Sequence, residues 1–238
     1  MKKKIRVGLV GASGRMGQEI THILKEQPIF DLYLAICRQA SLAEFAYTRS
    51  NPACPEAADV DLWIDFSGPE LLTKLLAVAV KYKTPVVSGT TGISAPQLSA
   101  LKKASQKISV LWASNMSLGV AVVAEALEVF GRIRQFDFQI EEFHHNRKKD
   151  RPSGTAKSLQ QRLEQVVGRE LPAPVSIRGG GIFGIHKVHA MAEEEHIVFE
   201  HMALNRAVFA RGAVTAALWL CSKRKGYYSM RDVLYNQN

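Results

Sequence analysis

The apolar run from Ile5 to Val10 passes directly into Gly11-Ala12-Ser13-Gly14-Arg15-Met16-Gly17, and from there into a stretch with helical periodicity. Few local patterns restrict a fold more. Glycines after a strand permit a tight turn and let backbone approach a ligand closely, and the next helix offers unpaired N–H groups and the positive end of its dipole. A strand, a glycine turn and a helix in that order form a cradle for a pyrophosphate. The spacing is GxxGxxG rather than GxGxxG, so the motif alone is also compatible with a turn that binds nothing; the flanking strand and helix favour the nucleotide.

The pattern continues in the same style. A helix over 14–26, a strand over 32–37, a strand over 61–66, a helix over 69–82, a strand over 85–88, a helix near 96–106 and a strand over 108–113 are expected from apolar spacing and Pro positions. Short apolar strands alternating with amphipathic helices imply a parallel sheet covered on both faces. From Ser117 the pattern changes. A helix to about residue 131 and one over 154–167 accompany strand-like runs at 136–140, 175–178, 185–191 and 196–202. Strands without intervening helices point to a mainly antiparallel sheet, hence a second, smaller α+β domain. A last apolar helix, about 213–221, has no strand of its own and returns to pack on the first domain.

In such a sheet the end of the second strand faces the adenosine ribose, where an acidic residue favours a free 2′-hydroxyl. This chain has Cys37-Arg38 there. Arg38, with Arg15 in the loop as a second candidate, is able to pair with a 2′-phosphate, although an exposed arginine at a strand end is also common.

Composition narrows the class. The 31 Lys and Arg against 22 Asp and Glu give a net charge of +9, with 47% hydrophobic residues. A basic excess suits anionic small molecules as well as nucleic acid, and no basic repeat, aromatic platform or zinc-finger spacing supports the latter. No apolar run spans a bilayer, so no membrane partner is expected. Met1-Lys2-Lys3-Lys4 precedes too short an apolar stretch for a secretory signal and reads as a solvated end. Cys37, Cys54 and Cys221 form no CxxC or metal spacing, which fits a reduced cytoplasmic protein without a metal site.

The chemistry concentrates in residues 141–156. Pro152-Ser153-Gly154-Thr155 opens the helix over 154–167, and the backbone N–H groups of Ser153, Gly154 and Thr155 suit a carboxylate. His144, His145 and Lys148 lie just upstream. These side chains have the chemistry to move protons; equally, one of two adjacent histidines is often only a hydrogen-bonding partner, and a KKDR run is usually a solvated turn. Local chemistry leaves both open. No GxSxG elbow favours a hydrolase, no cysteine sits as a semialdehyde dehydrogenase needs, and His186, His189, His196 and His201 read as structural residues on strands. A nucleotide-sensing protein without chemistry is the non-enzyme alternative.

These segments together closely resemble the 4-hydroxy-tetrahydrodipicolinate reductases, also called dihydrodipicolinate reductases. The resemblance runs through VGASGRMG at 10–17, DFSGPE at 65–70, SGTTG at 88–92, ASNMSLGV at 113–120, EFHHNRKKDRPSGTA at 142–156, SIRGG at 176–180, GIH at 184–186 and FARGAVTAALWL at 209–220.

The resemblance implies a Rossmann-like domain over 1–116, a substrate-binding and oligomerisation domain over 117–208, and a C-terminal segment over 209–238 returning to the first domain. It implies that Gly11, Ala12, Ser13, Gly14, Arg15 and Met16 bind the dinucleotide, with Gly89, Thr90, Thr91, Ala113, Ser114, Asn115 and Met116 on the nicotinamide side. His144 becomes the acid/base residue, Lys148 the proton donor, and His145 with Gly154 and Thr155 the substrate grip. The implied reaction is NAD(P)H-dependent reduction of a cyclic dicarboxylate in lysine biosynthesis, with hydride delivered to ring C4, in a homotetramer. Many bacterial members carry an acidic residue where this chain has Cys37, so NADPH is expected to serve at least as well as NADH. The segment between Arg38 and Asp61 is short for the family.

Overall fold

A computed structural model describes residues 3–38 and 41–235; Lys2 of the basic N-terminal run lies outside them. The chain forms two compact units, the first comprising residues 1–116 and 209–238 and the second Ser117–Val208.

Unit 1 is built on a seven-stranded sheet whose pairings are all parallel. Its strands in chain order are β1 (Ile5–Val10), β2 (Phe30–Ile36), β3 (Tyr47–Arg49), β4 (Leu62–Asp65), β5 (Val86–Ser88), β6 (Ser109–Trp112) and β11 (Gly226–Tyr228), and the order across the sheet is β11-β6-β5-β4-β1-β2-β3. The helices are α1 (Arg15–Lys25), α2 (Pro69–Tyr82), α3 (Ala95–Ser105), α6 (Ala207–Leu220, reaching back into unit 2 by its first two residues) and α7 (Met230–Tyr235). Central strands buried on both faces read as continuous apolar runs, and Val7, Leu9, Val10, Leu62, Trp63, Ile64, Val86 and Val87 are all fully inaccessible. Each such side chain contributes roughly 1.5–3 kcal/mol relative to exposure. Gly8 is required because the Trp63 indole occupies its Cβ position, at 2.4 Å.

Helix ends follow local chemistry. Pro69 starts α2 at a position where its missing N–H costs nothing, and Lys83 stops it in the left-handed region at φ 58. At the start of α3, Gln97 Oε1 accepts the Ser94 N–H at 2.8 Å. Two features depart from the sequence expectation. The helix expected at 213–221 begins six residues earlier, and it is followed by β11, which extends the sheet beside β6. The C-terminal segment therefore contributes a strand and a second, short helix, α7, beyond the helix expected. The short segment after Arg38 still supplies the edge strand β3 and a 3-10 turn over Pro55–Asp59.

Unit 2 carries β7 (Asp137–His144), β8 (Val175–Arg178), β9 (Gly184–Met191) and β10 (His196–Ala203) in the order β10-β9-β7-β8, with α4 (Leu118–Ala126) and α5 (Gly154–Val167). Two pairings are antiparallel and one, β7 with β8, is parallel. The helix expected from Ser117 to about 131 is α4 followed by a 3-10 turn over Leu127–Arg132. Phe138, Ile140, Val188 and Ala190 pack against Leu127, Phe130, Leu159 and Leu163. β7 alternates strictly between inward and outward residues. Its first two inward side chains, Phe138 and Ile140, are apolar; its last two are Glu142 and His144, also buried. The core face of this strand thus changes from apolar to ionisable at residue 142.

Candidate active site

In unit 1 the turn after β1 needs its glycines for steric reasons. Gly11 has φ +84, and a Cβ there would meet the Phe66 carbonyl at 2.5 Å; at Gly17 it would meet the Gly11 carbonyl at 2.3 Å. Both obstacles are backbone. Gly14 caps α1 without a side-chain bond, and no acidic residue occupies the first turn. The positive helix end is therefore neither capped by a side chain nor neutralised, the condition under which it holds an anion.

Two cavities of unit 1 meet at this loop. One, about 450 Å³, takes Gly14, Arg15 and Met16 together with Gly89, Thr90, Thr91 and the run Ala113 to Met116. The other, about 760 Å³, takes Gly11, Ser13 and Gly14 with Cys37, Arg38 and Ser50. Arg38 is exposed there at the end of β2. Of the residues assigned to the dinucleotide from sequence, only Ala12 lines neither; it is 2% exposed, and its N–H bonds the Ile36 carbonyl at 3.4 Å. Phe66 and Ser67, which line both cavities, and Phe209 were missed. The rule that ligands bind beyond the carboxyl ends of parallel strands points to Phe66 and Ser67, because β4 ends at Asp65. The cavities, the glycine cradle and the open helix end fit an extended dinucleotide.

In unit 2 the end of β7 builds a polar cluster around Glu142, whose side chain is inaccessible. Arg178, the register partner of His144 on β8, gives its carboxylate two bonds of 2.6 and 2.8 Å. The Ser153 N–H adds a third at 3.2 Å, and His144 Nδ1 contacts Oε2 closely. Although burial opposes the charge, Arg178 first, then the Ser176 hydroxyl and His144, hold the Glu142 carboxyl down to about 2. An ionised Glu142 assigns the proton of His144 to Nδ1 and leaves the lone pair on Nε2. Burial lowers the pKa of His144, against the opposing pull of Glu142, so the ring is neutral near pH 7.

Ser153 joins this cluster to α5. Its hydroxyl accepts the Ala156 N–H at 3.1 Å, capping the helix, and meets His186 Nε2 at 3.1 Å. His186 packs edge-on to His144 at 5.2 Å, and burial drives its pKa down to about 3. At Gly154 a Cβ would find nothing within 4 Å, so the helix start opens onto free space. Lys148 pairs with Asp150 at 2.9 Å, and its charge acts on both His144 and His186. The His145 N–H bonds the Ile182 carbonyl at 2.7 Å. Thus His144, Lys148, Gly154 and Thr155 gather around one loop, with Glu142, Arg178 and His186 as supports to which the sequence reading gave no role in the site; Ser153, whose N–H was expected to face a ligand carboxylate, instead gives it to Glu142. The register of β7 against β8 is what joins Glu142 to Arg178, and no local motif contains it.

Among the described residues no group of three or more His, Cys, Asp or Glu side chains is arranged to hold a metal ion, and no helix is long and apolar enough to cross a membrane. Residues 5–116 match the family model described as dihydrodipicolinate reductase, N-terminus, and residues 118–234 match its C-terminus. A protein of Bdellovibrio bacteriovorus named 4-hydroxy-tetrahydrodipicolinate reductase is 52% identical, covering 99% of each chain. One of the same name from Zymomonas mobilis is 36% identical, covering 98% of each. Among solved structures, a dipicolinate-bound dihydrodipicolinate reductase from Paenisporosarcina sp. TG-14 shares the fold with a TM-score of 0.77 at 20% identity, over 95% of this chain and 97% of that one. A C. glutamicum DAP dehydrogenase is a more distant neighbour, with a TM-score of 0.61 at 13% identity over 99% and 97% of the two chains. With the two family models matched over residues 5–116 and 118–234, the chain is an oxidoreductase that belongs to the dihydrodipicolinate reductase family.

Proposed function

We propose that the chain reduces 4-hydroxy-tetrahydrodipicolinate to tetrahydrodipicolinate with NADPH or NADH. Its family carries the reductase role of lysine and diaminopimelate biosynthesis. The observation that carries the reading is the cluster at the end of β7: a histidine fixed in one tautomer by a buried carboxylate, beside a lysine and an open helix start. Reduced nicotinamide, when bound, would supply the hydride for ring C4, the 4-hydroxyl leaving as water before or during reduction. The protein's part is to hold the dinucleotide on the α1 loop, hold the ring, and deliver a proton.

The roles follow from charge and position. Gly154, Thr155 and His145 grip a substrate carboxylate at the start of α5. Exposed Arg147, Lys149 and Arg151 surround Lys148 with positive charge, which attracts a dianion. His144 acts as acid/base through Nε2, and Lys148 donates the proton that completes reduction. Arg38 reads a 2′-phosphate, making NADPH equal or preferred. The outer face of the unit 2 sheet, where Val175, Ile177, Val198 and Met202 are 48, 39, 41 and 49% exposed, is the contact surface of a homotetramer. A cytoplasmic setting fits the three free cysteines. The test is to supply the purified chain with the product of the preceding synthase and follow loss of reduced-nicotinamide absorbance with each cofactor. No turnover with either would refute the assignment. Sedimentation showing only monomer at micromolar concentration would refute the tetramer.

A further inference from the structure

Asp65, the last residue of β4, is fully inaccessible, and no lysine or arginine pairs with it among the described ion pairs. Four donors surround it. Ser67 gives Oδ1 its hydroxyl at 2.5 Å and its N–H at 3.2 Å, while Ser88 and Thr90 each give Oδ2 a hydroxyl at 2.7 Å. A carboxylate offers about four lone-pair sites, and here every one is engaged. Burial raises the Asp65 carboxyl above its usual range, and the three hydroxyls oppose that rise.

The arrangement ties together the turns that follow β4 and β5. Thr90 Oγ1 also accepts the Ser67 N–H at 3.2 Å, Ser88 Oγ accepts the Thr90 N–H at 3.3 Å, and the Thr90 carbonyl accepts Trp112 Nε1 at 3.0 Å. Ser88 and Thr90 are buried, whereas Ser67 is half-buried and lines both cavities at the glycine loop. A hydroxyl has one proton. With that proton on Asp65, the Ser67 oxygen presents only lone pairs to the cavity. An oxygen so fixed suits a donor such as an amide NH₂ and disfavours a carboxylate.

Resting on the dinucleotide reading above, we propose that Asp65 is a positioning residue that sets cofactor specificity: through Ser67 it makes the 450 Å³ cavity select the carboxamide of the nicotinamide ring. The experiment measures, by calorimetry, the affinity of NADP⁺, of its nicotinic-acid analogue, in which a carboxylate replaces the carboxamide, and of 2′-phospho-ADP-ribose, which lacks the ring. One preserved hydrogen bond against one unpaired acceptor is worth about tenfold or more. The unaltered protein should therefore favour NADP⁺ over the acid analogue by about that factor. In Asp65→Asn and in Ser67→Ala the preference should fall to about threefold or less, while affinity for the ring-less ligand stays within about twofold. Ser67→Ala leaves the buried part of the network in place and decides the matter if Asp65→Asn fails to fold. An unchanged preference in Ser67→Ala overturns the proposal, as does a parallel loss of all three ligands in both variants, which would mark a merely structural role. If the unaltered protein binds none of the three, the dinucleotide reading falls and the proposal with it; binding of all three without discrimination overturns the proposal alone.

Discussion

Acidification from pH 8 to pH 5 should destabilise unit 2 through His186. This ring is 3% exposed, and burial lowers its pKa from 6.5 to about 3. The unfolded chain then takes up the proton first as pH falls, so the stability from this residue is fully present above about pH 6.5 and is lost progressively towards pH 3. At pH 5 the gap from 6.5 is about 1.5 units, and at about 1.4 kcal/mol per unit the loss is roughly 2 kcal/mol. His144 and His201 are also lowered by burial and add losses of the same sign, so the contribution of His186 is isolated by difference. Urea titrations of the unaltered chain and of His186→Gln at pH 8, 7, 6 and 5 should show the former losing about 2 kcal/mol more over the range. Far-UV circular dichroism follows both units, whereas Trp63, Trp112 and Trp219 all lie in unit 1, so tryptophan fluorescence provides an internal reference. Losses that agree within about 0.5 kcal/mol between the two proteins would show that His186 takes up no proton differentially, and the reasoning from burial would fail.

At the reactive loop, His144→Gln should lower kcat by about 10²–10⁴-fold, with Lys148→Ala comparable and the pair non-additive; near-normal kcat in both single variants, by steady-state kinetics, would sink the mechanism. Glu142→Gln should cost about 3–5 kcal/mol in urea unfolding, because it leaves the buried Arg178 guanidinium without its counter-charge. Adding Arg178→Met should recover part of that loss, and strict additivity would show that the two do not act as a pair. Arg38→Ala should weaken NADPH by roughly 1–3 kcal/mol more than NADH in calorimetric titrations, and equal losses would remove Arg38 from 2′-phosphate recognition.

Much of this fold is legible where local signals are strong and punctuated. α2 and α5 begin and end at the residues expected, because Pro69 and Ser153-Gly154 mark their starts and Lys83 and Gly168 their left-handed stops. β7 runs four residues further than its apolar alternation suggests, because Glu142 and His144 occupy inward positions where a periodicity argument looks for hydrophobes. β11 was not expected at all: three residues, Gly226–Tyr228, carry too little pattern, and their partner β6 is far away in sequence. The candidate site divides in the same way. The glycine loop and the start of α5 announce themselves by helix-start chemistry, whereas the anchoring of Glu142 by Arg178 exists only once β8 has taken its register on β7.

The late arrival of β11 also sets an order of events during synthesis. A ribosome adding 5–20 residues per second completes β6 and then makes the whole of unit 2 before Gly226–Tyr228 exists. The bond from Ser109 Oγ to the Lys223 carbonyl spans 114 residues, which at that speed is on the order of ten seconds. Throughout that interval the outer edge of β6 has no neighbour, and an open edge is a template for pairing with another nascent chain. Unit 2, continuous in sequence, is free to fold within the same window. A transcript cut after Val208 but before Gly226 would therefore direct synthesis of an intact inserted unit hanging from a sheet that ends at β6.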